Sequence, residues 1–280
     1  MRVAVVGHVE WIEFARVERV PRAGEIVHAI EAWEEPGGGG AVAAVQLARL
    51  AGEVTFLTAL GGDDLGQRAK AELEHRGVRV EAAQREESQR RAFTYVDAQG
   101  ERTITVIGDR LGPRAEDALP WGDLAAMDAV YFTAGDAPAL RAARAASVLV
   151  ATPRGLETIV ESGVELDALV GSGSDAGERY DLDALEPRPR LAVATAGAEG
   201  GRWTAAGGET GEFAATPLSG AVTDAYGAGD CFAAGLTFAL GERRPLPDSL
   251  ELAARCGAAA LTGRGPYAGQ LEASDVTAGA

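Results

Sequence analysis

Short apolar runs alternate with helical patterns along most of the chain. The first run, RVAVVG (2–7), is rich in β-branched residues and stops at a glycine, which predicts a buried strand. Similar runs predict strands at residues 54–60, 129–134, 147–152, 167–172 and 191–196. Helical spacing with a closing glycine predicts helices at residues 41–52 and 65–78. Strands that alternate with helices favour a mostly parallel sheet covered on both faces.

Two segments break this rhythm because their apolar and polar residues alternate. EIVHAIEAW (25–33) and RAFTYVDAQGERTITVIG (91–108) predict half-buried strands, the second segment turning at Gln99 and Gly100. We expect an antiparallel flap that is open to solvent on one face, with lid strands from residues about 10–35 and 90–108. No internal repeat is visible and EPRPR (186–190) is predicted to be a loop, so we expect one domain over residues 1–280.

The charge and the basic residues narrow the classes of ligand. The formal net charge is −16 at pH 7, which disfavours nucleic acid or an anionic membrane surface as a partner. A small anion such as ATP can still bind at a local site. Lys70 is the only lysine and lies outside any G-x-x-x-x-G-K-[ST] motif, which excludes a Walker-type phosphate loop. A phosphate site must therefore use backbone N–H groups, arginine or a metal ion.

The cysteines and histidines do not suggest a zinc centre. Cys231 and Cys256 are the only cysteines, and both lie in Ala/Gly-rich helical sequence, typical of small buried thiols in a reducing cytoplasm. His8, His28 and His75 are scattered, without the spacing of zinc ligands. The first apolar run is too short for a signal peptide and none reaches membrane-spanning length, so a cytoplasmic location is expected.

The stretch DAYGAGDCFAAGLTFAL (224–240) carries the candidate chemistry. Helical spacing begins at Phe232, so Gly227, Ala228 and Gly229 form the turn that enters a helix. The N–H groups of such a turn lack intrahelical partners, and small residues let an anion approach them. Asp230, in the first helical turn, could accept a proton from a hydroxyl that attacks a phosphoryl group. An ordinary helix start remains the alternative, since acids favour first turns.

Several motifs together resemble those of the ribokinase-like (PfkB) carbohydrate kinases. The D-T-x-G-A-G-D-x-F signature of that family is matched, with Ala225 in place of threonine, at Asp224, Gly227, Ala228, Gly229, Asp230 and Phe232. PGGGGAVAAVQLARLAG (36–52) is similar to the N-terminal Gly-Gly motif of the family. Its G-x-D-x-x-G and T-x-G-x-x-G segments look like ALGGDDLGQ (59–67), with Asp63 or Asp64 as the acid, and ATAGAEGGRW (194–203). Order and spacing agree over nearly the whole chain.

The resemblance implies a fold and a role for each motif. The fold would be a three-layer α/β/α domain with a mostly parallel central sheet and a small β-strand lid. Asp230 would be the catalytic base. The anion hole would be formed by Gly227, Ala228 and Gly229. The ATP site, with Mg²⁺ bridging the phosphates, would be lined by Thr195, Gly197 and Gly200. Asp224 could help bind a monovalent cation such as K⁺, and the lid could pair two subunits into a homodimer.

The departures from the family pattern lie mostly at the substrate end. Relatives carry N-x-D after the first strand, whereas GHVEWIEF places Glu10 and Ile12 there. Val42 and Gly39 replace the polar pair of the Gly-Gly motif. Either Glu10 or Glu13 binds the sugar, beside the backbone of Gly38, Gly39 and Gly40, or the ligand is not a standard pentose or hexose. The alternatives are a solvated strand-end acid at Glu10 and, for Trp11, a core or lid residue rather than a stacking platform.

The segment that organises Mg²⁺ and phosphate in relatives, N-x-x-E, is altered too. VGSGSDAGE (170–178) offers Ser172 and Asp175 at that spacing, so we expect both near ATP and Asp175 near Mg²⁺ through a water, with Glu178 as the competing acid. Arg102 and Arg154 could reach a phosphate or an acidic substrate, or form ordinary ion pairs.

Parts of the sequence are compatible with three functions. A nicotinamide-dependent enzyme is disfavoured, because GGGAVA (38–43) and GSGSDA (171–176) do not directly follow the first strand. A sugar- or nucleotide-binding regulatory module on the same fold would not need a base at the anion cradle. The sequence therefore predicts ATP-dependent, Mg²⁺-requiring phosphotransfer to an alcohol of a sugar or sugar-like molecule, and it leaves the sugar open.

Overall fold

The structure, a computed structural model, describes residues 1–277. The strands of these residues are β1 (Val3–Val6), β2 (Glu10–Arg16), β3 (Glu31–Gly37), β4 (Val54–Gly61), β5 (Val78–Arg85), β6 (Arg91–Val96), β7 (Arg102–Ile107), β8 (Ala129–Phe132), β9 (Val148–Ala151), β10 (Ala168–Ser172), β11 (Leu191–Thr195), β12 (Gly201–Ala205) and β13 (Thr210–Phe213). The α-helices are α1 (Gly39–Ala51), α2 (Asp64–His75), α3 (Ala137–Ala143), α4 (Leu156–Ser162), α5 (Ala228–Gly241), α6 (Leu246–Ala260) and α7 (Ala273–Thr277).

Nine strands form the central sheet, in the order β13-β12-β11-β10-β9-β8-β1-β4-β5. All neighbours from β5 to β11 are parallel, and only β12 and β13 add antiparallel pairs at one edge. Successive residues of β1 enter two separate apolar clusters, Val3 and Val5 in one, Ala4 and Val6 in the other. The sheet is thus covered on both faces, which confirms the three-layer α/β/α prediction.

Four strands form a second sheet, here called the lid sheet, in the order β3-β2-β6-β7. The predicted hairpin at residues 91–108 is confirmed as the antiparallel pair β6–β7. The central pair, β2 with β6, is parallel, so the expectation of a wholly antiparallel flap is wrong. The reason is topological: β2 follows β1 and β6 follows β5, and since β1 and β5 run in the same direction, their continuations enter the lid sheet together.

The strand predicted at residues 25–33 is also wrong at its start. Regular structure begins only at Glu31, which pairs with Arg16 of β2. The alternation that suggested an earlier strand depends on Ile26 and Ile30, and these side chains are 91% and 69% exposed. Their pattern therefore does not correspond to a buried face. The helix predicted at 65–78 ends at His75, because Val78 already belongs to β5.

The tip of the β6–β7 hairpin is attached to the loop that precedes α5. The N–H of Ala225 donates to the carbonyl of Gly100 at 2.9 Å. On β2, Arg16 Nη1 donates to the carbonyl of Thr223 at 3.2 Å. These contacts place the lid sheet across the carboxyl ends of the parallel strands.

Two further predictions concern the burial of the cysteines and the absence of membrane-spanning segments. Cys231 and Cys256 are buried free thiols, as predicted. Among the helices of residues 1–277, none has the length and apolar character that a membrane crossing requires.

Candidate active site

The candidate site lies where the parallel strands end, beneath the lid sheet. In open α/β sheets, ligands bind at this carboxyl edge, because the strands point several loops at the same place. His8 follows β1, Thr133 follows β8, Ser172 ends β10 and Thr195 ends β11. Glu10 approaches the same region from β2 of the lid sheet.

The start of α5 presents free backbone N–H groups to this edge. The first helical hydrogen bond runs from Cys231 N to the carbonyl of Gly227 at 2.9 Å, so the N–H groups of residues 228–230 precede the helical ladder. Gly227 has φ 81°, and a Cβ there would lie 2.9 Å from Val42 Cγ1, so a larger residue does not fit. Gly229 is exposed, with nothing within 4 Å of its Cβ position. The result is an open cradle with the positive end of a helix dipole behind it.

The start of α1 meets the same place and touches Asp230 directly. A Cβ on Gly39 would lie 2.7 Å from Asp230 Oδ1, so the glycine lets the carboxylate lie against the α1 backbone. Gly38, with φ 84°, donates its N–H to Tyr226 Oη at 2.9 Å. A Cβ on Gly40 would lie 2.7 Å from the carbonyl oxygen of His8. The glycine run thus brings a second helix N-terminus against the candidate base.

Asp230 is tuned by its surroundings. Burial is the main cause that raises its pKa to about 6, and the negative charge of Glu178 raises it further. Arg102 and Arg154 oppose this by favouring the carboxylate. Because a base is most effective when its pKa is near the working pH, this carboxylate suits proton transfer close to neutrality.

At the substrate end, Glu10 is buried rather than solvated. Its side chain forms an ion pair with Arg90, Nε to Oε1 at 2.9 Å, and lies 3.7 Å from His8 Nε2. Burial raises the pKa of Glu10, against the effect of Arg90 and Arg110. The alternative of a solvated strand-end acid is therefore wrong. Glu13, the other candidate, lies on the opposite face of β2 and pairs with Arg91 at 3.6 Å.

Two neighbours of Glu10 belong to the packing of the protein. Ile12 is fully buried, and its Cδ1 lies 2.3 Å from the Cβ position of Gly37, so the isoleucine fills the space above that glycine. Trp11 is 2% exposed, donates Nε1 to Glu34 at 3.2 Å and lies under the guanidinium of Arg68. Trp11 is a packed lid residue, as the likelier prediction had it.

The residues expected near ATP form a group at the ends of β10 and β11. Ser172 and Thr195 pair in register, and the carbonyl of Thr195 accepts the N–H of Gly173 at 2.9 Å. Gly197 has φ 58°, is exposed and has open space before it. Position 200 requires glycine for a packing reason, because a Cβ there would lie 2.0 Å from the carbonyl oxygen of Phe213.

Two carboxylates lie beside Ser172 and share one arginine. Glu178 accepts the N–H of Ser172 at 2.6 Å and pairs with Arg154 Nε at 2.8 Å. Asp175 accepts the N–H of Gly177 at 2.8 Å and pairs with another nitrogen of Arg154. No group of three metal-binding side chains occurs in residues 1–277, so these residues do not form a cage of their own. They fit Mg²⁺ that arrives with ATP, since Mg²⁺ commonly uses one or two carboxylates with phosphates and waters.

Asp224 anchors the loop that carries the cradle. It is fully buried and accepts N–H groups of Tyr226 at 2.9 Å and of Gly265 at 3.0 Å, one on each carboxylate oxygen. Burial raises its pKa above the ordinary range. Arg102 lies over this loop from β7 and donates to the carbonyl of Ala225 at 2.9 Å.

A cavity of about 830 Å³ opens beside the lid sheet, lined mainly by residues that follow β5, β7, β8 and β9; Glu10, the glycine run and Asp230 are not among its lining residues. Thr133, Gly135, Arg154 and Arg110 are among the residues that line it. No sequence motif indicates Arg90 or Arg110. The only local indication of their position is that Arg90 directly precedes β6 and Arg110 shortly follows β7.

The fold and the site together define a class: a ribokinase-like three-layer α/β/α protein with a lid sheet over the carboxyl edge. The chain belongs to the pfkB family of carbohydrate kinases, whose family model matches residues 1–153 and 156–273. This confirms the resemblance drawn from the motifs. It also identifies the chain as an ATP-dependent carbohydrate kinase rather than a binding module.

Individual relatives agree with the family. The chain is 27% identical over 293 residues to an ATP-dependent ribose-1-phosphate kinase of Halopiger xanaduensis, covering 92% of this chain and 91% of the relative. It is 29% identical to a fructokinase of Salmonella typhimurium, covering 82% and 87%. A ribokinase of Arabidopsis thaliana, solved with ribose and ATP, superposes with a TM-score of 0.78 at 18% identity, covering 99% of this chain and 97% of that chain.

Proposed function

We propose that this kinase transfers the terminal phosphoryl group of ATP to an alcohol of a sugar or sugar-like molecule, with Asp230 as catalytic base. The observation that carries this proposal is the contact of Asp230 with Gly39, which brings a carboxylate of raised pKa to the meeting point of two helix N-termini. A base beside an anion cradle supplies the two parts that phosphoryl transfer asks of a protein.

In the proposed mechanism the acceptor hydroxyl lies against Asp230 and gives up its proton as the oxygen attacks phosphorus. The N–H groups of residues 228–230 stabilise the negative charge on the phosphoryl oxygens, with the dipole of α5 aligned behind them. The lid sheet would exclude water from the reacting groups, which limits hydrolysis of ATP. In this mechanism the lid sheet, which contacts residues 223 and 225, closes the site against water during the reaction.

Ser172, Asp175 and Glu178 are proposed to face the ATP phosphates, with Thr195, Gly197 and Gly200 forming the adjacent nucleotide wall. Mg²⁺ bound with ATP would neutralise charge on the phosphates. Its contacts to this chain would pass through water to Asp175 or Glu178, both of which already pair with Arg154. Asp224 remains our proposed contact to a monovalent cation, close to the loop it anchors.

Glu10 and the backbone of residues 38–40 are proposed to hold the acceptor. The relatives reported above are named for ribose-1-phosphate, fructose and ribose, so the names alone do not decide which acceptor this chain uses. A sugar-like alcohol is the class they share.

A homodimer through the lid sheet is proposed as well. All six residues of β7 are exposed at the edge of that sheet, and they include Ile104, Val106 and Ile107. An uncovered apolar edge strand tends to pair with another chain. Sedimentation of the purified protein tests this: a stable monomer at micromolar concentration contradicts the dimer and leaves the kinase proposal unaffected.

The kinase proposal is tested by Mg²⁺-dependent release of ADP across a panel of sugars, sugar acids, sugar phosphates, polyols and nucleosides. Asp230→Asn should lower kcat by about 10²- to 10⁴-fold while ATP binding is kept. Asp248→Asn is the matched control, because Asp248 is an exposed acid in the first turn of α6. Full activity of Asp230→Asn would contradict the role of Asp230, and no release with any acceptor would contradict the proposed reaction.

A further inference from the structure

Tyr226, in the loop that precedes α5, has a buried hydroxyl that the proposed mechanism does not use. The residue is 6% exposed. Its hydroxyl accepts the N–H of Gly38 at 2.9 Å, so the side chain reaches from this loop to the start of α1. Gly38 is followed by Gly39, whose Cβ position lies 2.7 Å from Asp230 Oδ1. Tyr226 therefore holds the backbone one residue away from the glycine that lies against the candidate base.

Both backbone polar groups of Gly38 are occupied. Its carbonyl accepts the first helical hydrogen bond of α1, from Val42 N at 3.1 Å. Its N–H has no acceptor other than Tyr226 in the described part of the chain, residues 1–277. Without that hydroxyl a buried N–H would lack a partner, which is unfavourable unless the backbone moves toward water. The hydrogen bond therefore determines where the start of α1 lies.

The ring of Tyr226 is fixed in turn by the lid sheet. Phe14 of β2 contacts it edge to face, with ring centroids 5.4 Å apart and an angle of 86° between the planes. Phe14 also stacks on Trp33 of β3 at 4.8 Å. On the other side of the residue, the N–H of Tyr226 donates to the buried carboxylate of Asp224 at 2.9 Å. Ring and backbone are thus both held, and the hydroxyl has a defined position.

We propose that Tyr226 is a positioning residue for phosphoryl transfer: its hydroxyl fixes Gly38, and this keeps the next glycine against the carboxylate of Asp230. The inference rests on the proposed function, in which Asp230 is the base, and adds the residue that keeps this base in place. Because the ring packs on Phe14, the position of the base also depends on the lid sheet. A catalytic group that is misplaced by a small distance loses much of its rate, so kcat depends on a hydroxyl that acts only through the backbone.

The first test is Tyr226→Phe, which removes the hydroxyl and keeps the ring against Phe14. Rates are measured with ATP and with ribose, fructose and ribose-1-phosphate as acceptors. We expect kcat to fall about 5- to 30-fold, while KM for ATP stays within about twofold of wild type, because the lost contact is not on the proposed nucleotide wall.

Tyr267→Phe is the matched control. It also removes a buried tyrosine hydroxyl, one that donates to the carbonyl of Pro36 at 2.7 Å, two residues before Gly38. This bond does not reach the glycine that contacts Asp230, so kcat should be nearly that of wild type. Equal losses of kcat in the two variants, or full kcat in Tyr226→Phe, would overturn the proposal.

A pH profile of kcat/KM separates the positioning of the base from a general loss of packing. The ionisable side chains that act on Asp230 are those of Glu178, Glu10, Arg102, Arg154, Tyr131, Tyr226 and Cys231. Tyr226→Phe leaves the carboxylates and arginines of this group in place, but it lets the carboxylate of Asp230 separate from Gly39 and become more hydrated.

Burial is the main cause that raises the pKa of Asp230 to about 6, so hydration should lower the midpoint of the acid limb. We expect a shift of about one pH unit downward in Tyr226→Phe and none in Tyr267→Phe. An unchanged midpoint in Tyr226→Phe would overturn the proposal, because a merely structural loss leaves the pKa of the base where it is.

The route through Gly39 is tested by combining Tyr226→Phe with Gly39→Ala. The added Cβ would by itself displace the carboxylate of Asp230, which leaves the hydroxyl nothing to hold in place. The loss of kcat in the double variant should therefore be close to that of Gly39→Ala alone. Losses that multiply would mean that Tyr226 acts by another route, and would overturn the proposal.

If no acceptor of the wider panel turns over, the proposed function fails, and thermal unfolding at pH 7.5 decides the inference. The gain in Tm caused by Asp230→Asn is compared in wild type, Tyr226→Phe and Tyr267→Phe. If Tyr226 keeps the carboxylate buried, the gain should be about half as large in Tyr226→Phe and unchanged in Tyr267→Phe. Equal gains in all three backgrounds would overturn the proposal.

Discussion

The two ends of the site are built from different materials. The cradle end uses backbone N–H groups, three small residues and a single acid, Asp230. The end that we propose for the acceptor, here called the acceptor end, uses long charged side chains, with Glu10 paired with Arg90. The cradle end matches the family pattern almost position by position, while the acceptor end departs from it at residues 10 and 12.

This difference follows from what each end must recognise. A phosphoryl group presents the same oxygens in every kinase reaction, so a helix N-terminus with no side chains in the way suffices. An acceptor is distinguished by groups specific to it, which only side chains of matching charge and reach can bind. The cradle therefore tolerates little change, and the acceptor end can be rebuilt on the same fold.

The largest effect is expected from a substitution at Ile12, which belongs to the core although relatives carry a substrate-binding acid at that position. Ile12→Asp would restore a carboxylate at the position where relatives carry one, but in a fully buried site. We expect the free energy of unfolding to fall by about 3–5 kcal/mol, because the charge would have no partner. Urea unfolding measures it, with Ile26→Asp, at a side chain 91% exposed, as control. Unchanged stability with a gain of activity on neutral sugars would show that position 12 is open to the acceptor.

The cradle end is tested by adding a single carbon. Gly39→Ala would place a Cβ 2.7 Å from Asp230 Oδ1 and displace the carboxylate. We expect kcat to fall about 10- to 100-fold, since small misplacements of a catalytic group are costly. Gly122→Ala is the control, because its Cβ meets nothing within 4 Å. A folded Gly39→Ala variant with full kcat would contradict the contact as the feature that positions the base.

A pH profile addresses the chemistry of the cradle alone. The base must be ionised to accept a proton, and the pKa of Asp230 is about 6. We therefore expect kcat/KM to be level above about pH 7 and to fall roughly tenfold per unit well below pH 6. Steady-state rates in buffers of constant ionic strength measure this. A profile level down to pH 4.5 would exclude Asp230 as the group that titrates.

The smallest expected effect is the change in folding stability that results from the raised pKa of Asp230. A carboxyl group whose pKa is higher in the folded state disfavours folding once the pH rises through its unfolded value, near 4, and the full cost is reached above about 6. Asp230→Asn should therefore stabilise the protein by about 1–2 kcal/mol at pH 7.5, since a partly solvated carboxylate keeps some hydration.

Thermal unfolding of Asp230→Asn and wild type at several pH values checks this. The difference should shrink between pH 6 and pH 4, because the folded state takes up the proton as the pH falls below 6 and the unfolded state does so only near pH 4. A variant less stable than wild type at pH 7.5 would mean that the carboxylate stabilises the fold, contrary to the cost expected from its burial.

Much of the fold was predictable because its signals are local. Strands β1, β4 and β8 to β11 are apolar runs bounded by turns. The runs are continuous because both faces of these strands are buried. The start of α5 was predictable for the same reason, since a glycine turn and a helical period stand next to each other in the chain. The strand wrongly predicted at residues 25–30 shows where local patterns fail. Alternation indicates a strand only if one face is buried, and the side chains of Ile26 and Ile30 are both exposed.

By itself, the sequence determined the three-layer fold, the cradle of residues 227–229 and the candidate base, because each depends on neighbours a few positions away. The tertiary structure alone decided that Glu10 is buried with Arg90 and that Ile12 fills the core. Glu10 and Arg90 are 80 positions apart in the chain, and no sequence period links them. Which charge meets which is fixed only when β2, β6 and β7 assemble in the lid sheet, since Coulomb interactions depend on distance in space.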